Sequence, residues 1–171
     1  VDSCCIKQES AAELSEGVNC MFEWYRNANV CVAYLPDVEH PSDRASLRRS
    51  EWFERGWTLQ ELLASTVVIF LTTSWQVIGH EGSATHLEGS INAGPNIELF
   101  LSERTGIPQA VLQEFSTSHA LSIRGRMCWM EGRETLKAED MYYALFGIFG
   151  ITPGANYGEK SLVQSRGYGK L

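Results

Sequence analysis

Residues 57–71 read WTLQELLASTVVIFL. Leu59, Leu62 and Leu63 are spaced to share one face of a helix. That helix is read from Trp52 to Ala64, and Ser65-Thr66 ends it. Val67 to Leu71 then has no polar position at all, as expected of a strand buried on both faces. A helix running into a fully apolar strand is a unit of a helix-covered sheet, so this stretch decides the fold class. The stretch upstream repeats the arrangement. Ser10-Ala11-Ala12-Glu13 is a capping box, in which hydroxyl and carboxylate satisfy the free amides of a helix start. Leu14, Val18, Met21, Phe22 and Tyr25 follow at spacings of three and four, and Asn27-Ala28-Asn29 ends the helix. Val30 to Leu35 (VCVAYL) is a second short apolar run, closed by Pro36-Asp37. Val1 to Ile6 would add one more strand.

The expectation is an α/β fold with a three-layer parallel sheet, its strands near 1–6, 30–35 and 67–71. The polar residues 39–50 read as a loop. Residues 79–96 are rich in Gly, Ser and Asn, with a strong turn signal at Asn92 to Asn96, and also read as a loop. Downstream the pattern is helical. Ile97 to Arg104 is stopped by Gly106, Pro108 opens a further helix, Ser122 caps one reaching about Glu131, and Glu139 to Phe149 is the best-defined late helix. The chain therefore reads as one domain: an α/β part over 1–75, a loop or insertion over 76–96, a helical part over 97–160 and a frayed tail over 161–171.

Composition bounds the function. The 171 residues suit one sizeable core. The formal charge of −7 argues against a general nucleic-acid or anionic-membrane surface, which needs a basic face. No apolar run approaches the roughly 20 residues of a membrane helix. The opening Val-Asp-Ser-Cys-Cys has neither initiator Met nor signal peptide, so a cytoplasmic protein whose sequence starts mid-chain is expected. The cysteines (Cys4, Cys5, Cys20, Cys31, Cys128) are odd in number and form no CxxC pair, so they read as buried reduced thiols. His40, His80, His86 and His119 lie in polar stretches without metal-ligand spacing and read as solvated loop residues, so no metal is expected. Trp24, Trp52, Trp75 and Trp129 read as core.

Glu61 points nearly opposite to the leucines of its helix, and Trp57, four residues earlier, lies beside it. The indole either covers the helix against a neighbouring segment or walls a site in which the carboxylate works. Asp2 ends the first expected strand, where open α/β sheets place their sites, or simply caps a loop. Arg133, Glu134, Glu139 and Asp140 cluster ahead of the late helix. The two latter acids complement its dipole, and Arg133 is free to pair with a carboxylate or a ligand phosphate.

Several blocks resemble the fungal heterokaryon-incompatibility (HET) domain: DSCCI (Asp2 to Ile6), AELSEGVNCMFEWYRNANVCVAYL (Ala12 to Leu35), RGWTLQELLA (Arg55 to Ala64) and the run from Arg126 to Glu159. Lys7 stands where the family commonly has Asp, and Met141-Tyr142-Tyr143 replaces its small residue before Tyr. A strand block resembling Y-A-I-L-S-H-T-W, with which members usually begin, is absent. The chain thus looks like the larger, C-terminal part of such a domain, expected to be inactive by itself. HET domains in turn are distantly similar to TIR domains, with a partial TIR- or flavodoxin-like sheet. There the Glu of W-x-L-x-E-L is the residue on which NAD cleavage depends.

That resemblance implies programmed cell-death signalling in fungal allorecognition. It implies Glu61 as catalytic residue and NAD as substrate rather than cofactor, with Asp2, Trp57 and Arg133 as substrate-binding residues. Homo-oligomerisation and an upstream sensor protein are the partners it implies. A non-catalytic self-association module that recruits death machinery is the alternative.

Overall fold

The computed structural model describes residues 10–87 and 91–152. Helix α1 (Ala11–Arg26) starts at the expected cap, where the Ser10 hydroxyl accepts from Glu13 N. Its Val18, Met21 and Phe22 are buried. Strand β1 (Cys31–Tyr34) follows, then a short helix α2 (Arg44–Arg49) inside the stretch expected to be a loop. Asp43 explains α2, since its carboxylate accepts from Ala45 N and Ser46 N and satisfies the first turn. Those bonds hold the exposed Asp43 below the ordinary carboxyl range.

The helix expected over Trp52 to Ala64 is two pieces, a 3-10 turn (Glu51–Glu54) and α3 (Thr58–Ala64). The break is at Arg55-Gly56. There Gly56 N donates to Glu134 O at 2.8 Å, and a Cβ on Gly56 would run into the Thr135 and Met130 side chains. A segment nearly eighty positions away in sequence therefore interrupts the helix.

Strand β2 (Val67–Leu71) is buried along its length. It pairs in parallel with β1, Cys31 opposite Val68 and Tyr34 opposite Leu71, as the apolar pattern predicts. Its other neighbour, β3 (Val77–Gly82), is antiparallel. The sheet is therefore mixed, with order β1-β2-β3, and the expected loop over 76–96 contains a strand. Connection length gives the reason. Only residues 72–76 separate β2 from β3, enough for a hairpin but far short of a parallel crossover. The hairpin is closed by Thr72 N to Gln76 O (2.9 Å) and places Trp75 at φ 62°. The expected strand at 1–6 lies outside the described residues.

The two faces of the sheet are unequal. Cys31, Ala33, Leu35, Val68, Phe70 and Ile78 meet the main core, which takes in Phe22 of α1, the α3 leucines and the helical C-terminal part. Val67, Ile69 and Leu71 meet only a small second cluster with Leu87 and Ala93. Among the described residues the expected three layers are thus one helical layer on one face and a thin irregular cover on the other.

The C-terminal part is helical in short pieces: α4 (Glu98–Thr105), α5 (Gln109–Gln113), α6 (Ile123–Met127), α7 (Asp140–Tyr143) and α8 (Phe146–Phe149). Gly106 and Gly150 end α4 and α8 in left-handed conformations, as expected of glycine after a helix. The single late helix read from Glu139 to Phe149 is α7 and α8 with a turn between them.

Candidate functional site

Helix α3 is enclosed. Thr58, Leu59, Gln60, Leu62, Leu63 and Ala64 are all buried, and Glu61 alone is half-exposed. The carboxylate therefore stands at the one open position of a helix packed on its other sides. Its charge reaches Cys31, the first residue of β1, and Arg133. Trp57 precedes α3 and is also half-buried. It packs against the main core and against a third cluster formed by Val18, Tyr143 and Phe146. Of the two readings of its indole, these contacts match the one in which it covers α3 against neighbouring helices.

Arg133 is 6% exposed and is fully engaged in holding the chain together. Its Nε donates to Trp129 O (3.1 Å), and its Nη1 donates to Arg55 O (2.8 Å) and Thr58 Oγ1 (2.9 Å). The Thr58 hydroxyl itself lies 2.6 Å from Trp52 O and 2.7 Å from Arg55 O. Burial, and then the charge of Arg104, lower the Arg133 pKa to about 10, against the opposing pull of Glu61. The guanidinium remains charged at neutral pH.

Gln60 makes a second stitch. Its Nε2 donates to Ala144 O at 2.8 Å, at the turn between α7 and α8. The block RGWTLQELL is thereby bound both to RMCWMEGRET, through Arg133, and to the α7–α8 turn, through Gln60. Arg133 and Gln60 are the residues whose structural role spacing could not reveal, because all but one of their partners are backbone carbonyls. Asp2 lies outside the described residues. Asp140 is buried in the first turn of α7, where its charge meets the helix start.

Other readings need correction. His80 is in β3, not a loop, and its Nδ1 lies 3.0 Å from Gly94 O. Cys31 is buried and free, but Cys128 is an exposed free thiol. Burial, and then the nearby charge of Glu61, push the Cys31 thiol up to about 12. Trp52 and Trp129 are core, whereas Trp24 and Trp75 are exposed, the latter with its ring 5.1 Å from that of Tyr34. Among the described residues no group of three His, Cys, Asp or Glu could hold a metal ion. None of their helices is long and apolar enough to cross a membrane.

The surroundings of Glu81 have no counterpart in the sequence reading. It is fully buried in β3, opposite Val68, with no hydrogen-bond partner on either carboxylate oxygen. Burial, reinforced by nearby Glu98, raises its pKa well above the ordinary range and so favours its protonated form. Glu98, also buried, is bonded instead, accepting from Gly82 N (3.2 Å) and Gln113 Nε2 (2.8 Å).

No protein-family model matches the chain. No solved structure matches it either. The vegetative incompatibility protein HET-E-1 of the fungus Podospora anserina is 39% identical to it over 167 residues, which cover 93% of this chain. The chain spans 11% of the length of that relative. It is thus related in sequence to a fungal heterokaryon-incompatibility protein.

Proposed function

We propose that the chain is the larger part of a HET domain, and that the complete domain acts in cell-death signalling between incompatible fungal strains by cleaving NAD with Glu61. The relationship to an incompatibility protein supports the process. The observation that carries the chemistry is the placement of Glu61, a carboxylate at the only open position of an otherwise buried helix. A rigid support of this kind holds a charge where a reacting group can meet it. In the reaction, water and NAD give nicotinamide, ADP-ribose and a proton. The bond from ribose to the cationic nicotinamide breaks through an oxocarbenium-like state, which an adjacent carboxylate stabilises. Nicotinamide leaves as a neutral molecule, so one carboxylate is enough. The proposal includes a cytoplasmic setting, homo-oligomerisation and an upstream sensor.

The second reading is a non-catalytic self-association module. The engagement of Trp57 in core packing and of Arg133 in backbone bonds favours it, because both residues then have structural work that needs no substrate.

Glu61→Gln in the full-length protein separates the two. Gln keeps the size and removes the charge. Catalysis predicts loss of cell death, and a fall in NAD consumption of about 100- to 1000-fold, as for removal of a group that stabilises transition-state charge. Undiminished killing by the Gln variant at matched expression would establish the assembly module. Killing without NAD loss in the parent protein would refute NAD cleavage.

A further inference from the structure

A cleft of about 740 Å³ opens at the C-terminal end of α3, and neither Glu61 nor Trp57 lines it. Its walls come from the ends of α1, α3, α5 and α8, from the 3-10 segment Phe115–Ala120 and from Arg126 of α6. That volume is in the range of small-molecule sites.

One wall is aromatic. The Phe22 and Phe115 rings stand 5.1 Å apart, and His119 meets Phe115 edge-on at 5.9 Å. Arg126 contributes the opposite character. Its guanidinium lies 4.7 Å over the Phe149 ring, and its Nη1 donates to Ile148 O at 3.3 Å. Its Nε is closed off from solvent and has no acceptor, so the cleft is met by the Nη side of the guanidinium. No carboxylate pairs with Arg126 among the described residues. A guanidinium held over a ring and paired with no carboxylate is pre-organised for an anion, which it meets with its Nη groups. Ser65, Thr66 and Ser116 add hydroxyl groups to the lining.

We propose that this cleft binds a mononucleotide, its base against the Phe22–Phe115–His119 wall and its phosphate on Arg126. An aromatic surface accepts any base face, and an arginine fork accepts phosphate oxygens, so the two features fit one molecule better than either an apolar ligand or a bare anion. The site is separate from Glu61 and stands whether or not NAD is cleaved.

The test is isothermal titration of the 171-residue chain with AMP, adenosine and inorganic phosphate. AMP should bind at least about tenfold more tightly than either half-ligand, and Arg126→Gln should weaken AMP by about tenfold or more. Arg126→Lys keeps the charge without the fork and should fall between them. His119→Ala, at an exposed position, should weaken AMP and adenosine but not phosphate. If Arg126→Gln does not melt cooperatively, the lysine and His119 variants decide. No AMP binding, or AMP affinity unchanged in these variants, overturns the proposal. Equal affinity for phosphate alone reduces the cleft to an anion site and overturns it too.

Discussion

Two parts of the molecule bury polar side chains and treat them in opposite ways. At the start of α3, Arg133, Thr58 and Gln60 all have hydrogen-bond partners, and their bonds join segments remote in sequence. At the edge of the sheet, Glu81 is as deeply buried and has none. A buried polar group is stabilising only when it is satisfied, and a carboxyl that is not satisfied keeps its proton instead. The first region is therefore a clamp whose strength depends on side-chain geometry. The second is a place where stability depends on pH.

Arg133→Met should have the largest effect. It removes three hydrogen bonds from a charged donor and strands Trp129 O, at a cost of about 3 kcal/mol in urea unfolding at neutral pH. A loss below about 0.5 kcal/mol, the usual size for a surface substitution, would break the contrast.

Glu81→Gln should change a slope. The folded pKa of Glu81 is raised above its unfolded value, so its contribution is fully present below the ordinary carboxyl pKa near 4.5. It is lost as pH rises toward the folded value. Over that window the parent chain should lose up to about 1.4 kcal/mol per pH unit from this group. The Gln variant, which cannot ionise, should lack that component in a series of melts from pH 4 upward. Identical pH profiles for the two proteins would show that Glu81 is not held neutral.

Gln60→Met should have the smallest effect, about 1 kcal/mol, because one short bond and one long one are lost from a site that an apolar chain of similar volume can fill. Its Oε1 already lacks a partner in the parent chain, which limits the loss. A cost as large as that of Arg133→Met would mean that the stitch to Ala144 O matters as much as the guanidinium in holding α3 to the C-terminal part.

Much of the local structure was legible. Ser10 and Glu13 mark the start of α1, and the runs at 30–35 and 67–71 mark two strands that do pair in parallel. Gly106 and Gly150 mark helix ends. The third strand was not legible. Val77-Ile78-Gly79-His80-Glu81-Gly82 has two glycines and two ionisable residues, and it looks like a loop. Tertiary contacts make it a strand: β2 on one side, and the pass of residues 94–97 on the other, where His80 N donates to Pro95 O and Ile97 N to His80 O. Gly79 is required there because a Cβ would strike Pro95 O and the Ile97 side chain.

The candidate site divides in the same way. That Glu61 projects away from the leucines follows from 100° of rotation per residue, and the structure keeps it half-exposed. That Trp57 packs into a cluster with Val18, Tyr143 and Phe146, and that Arg133 bonds to Arg55 O and Thr58, followed from no spacing rule. Periodicity records what a residue does within its own element, since side-chain direction repeats with the backbone. Which distant carbonyl accepts a bond, which acid is left unpaired and where a cleft opens depend on how elements pack. The alternation of helix and apolar strand, the helix ends and the facing of Glu61 were all set by local pattern. The mixed sheet, the clamp on α3, the unpartnered Glu81 and the cleft at Arg126 came from folding alone, because each of them is made by residues that meet only when the chain is folded.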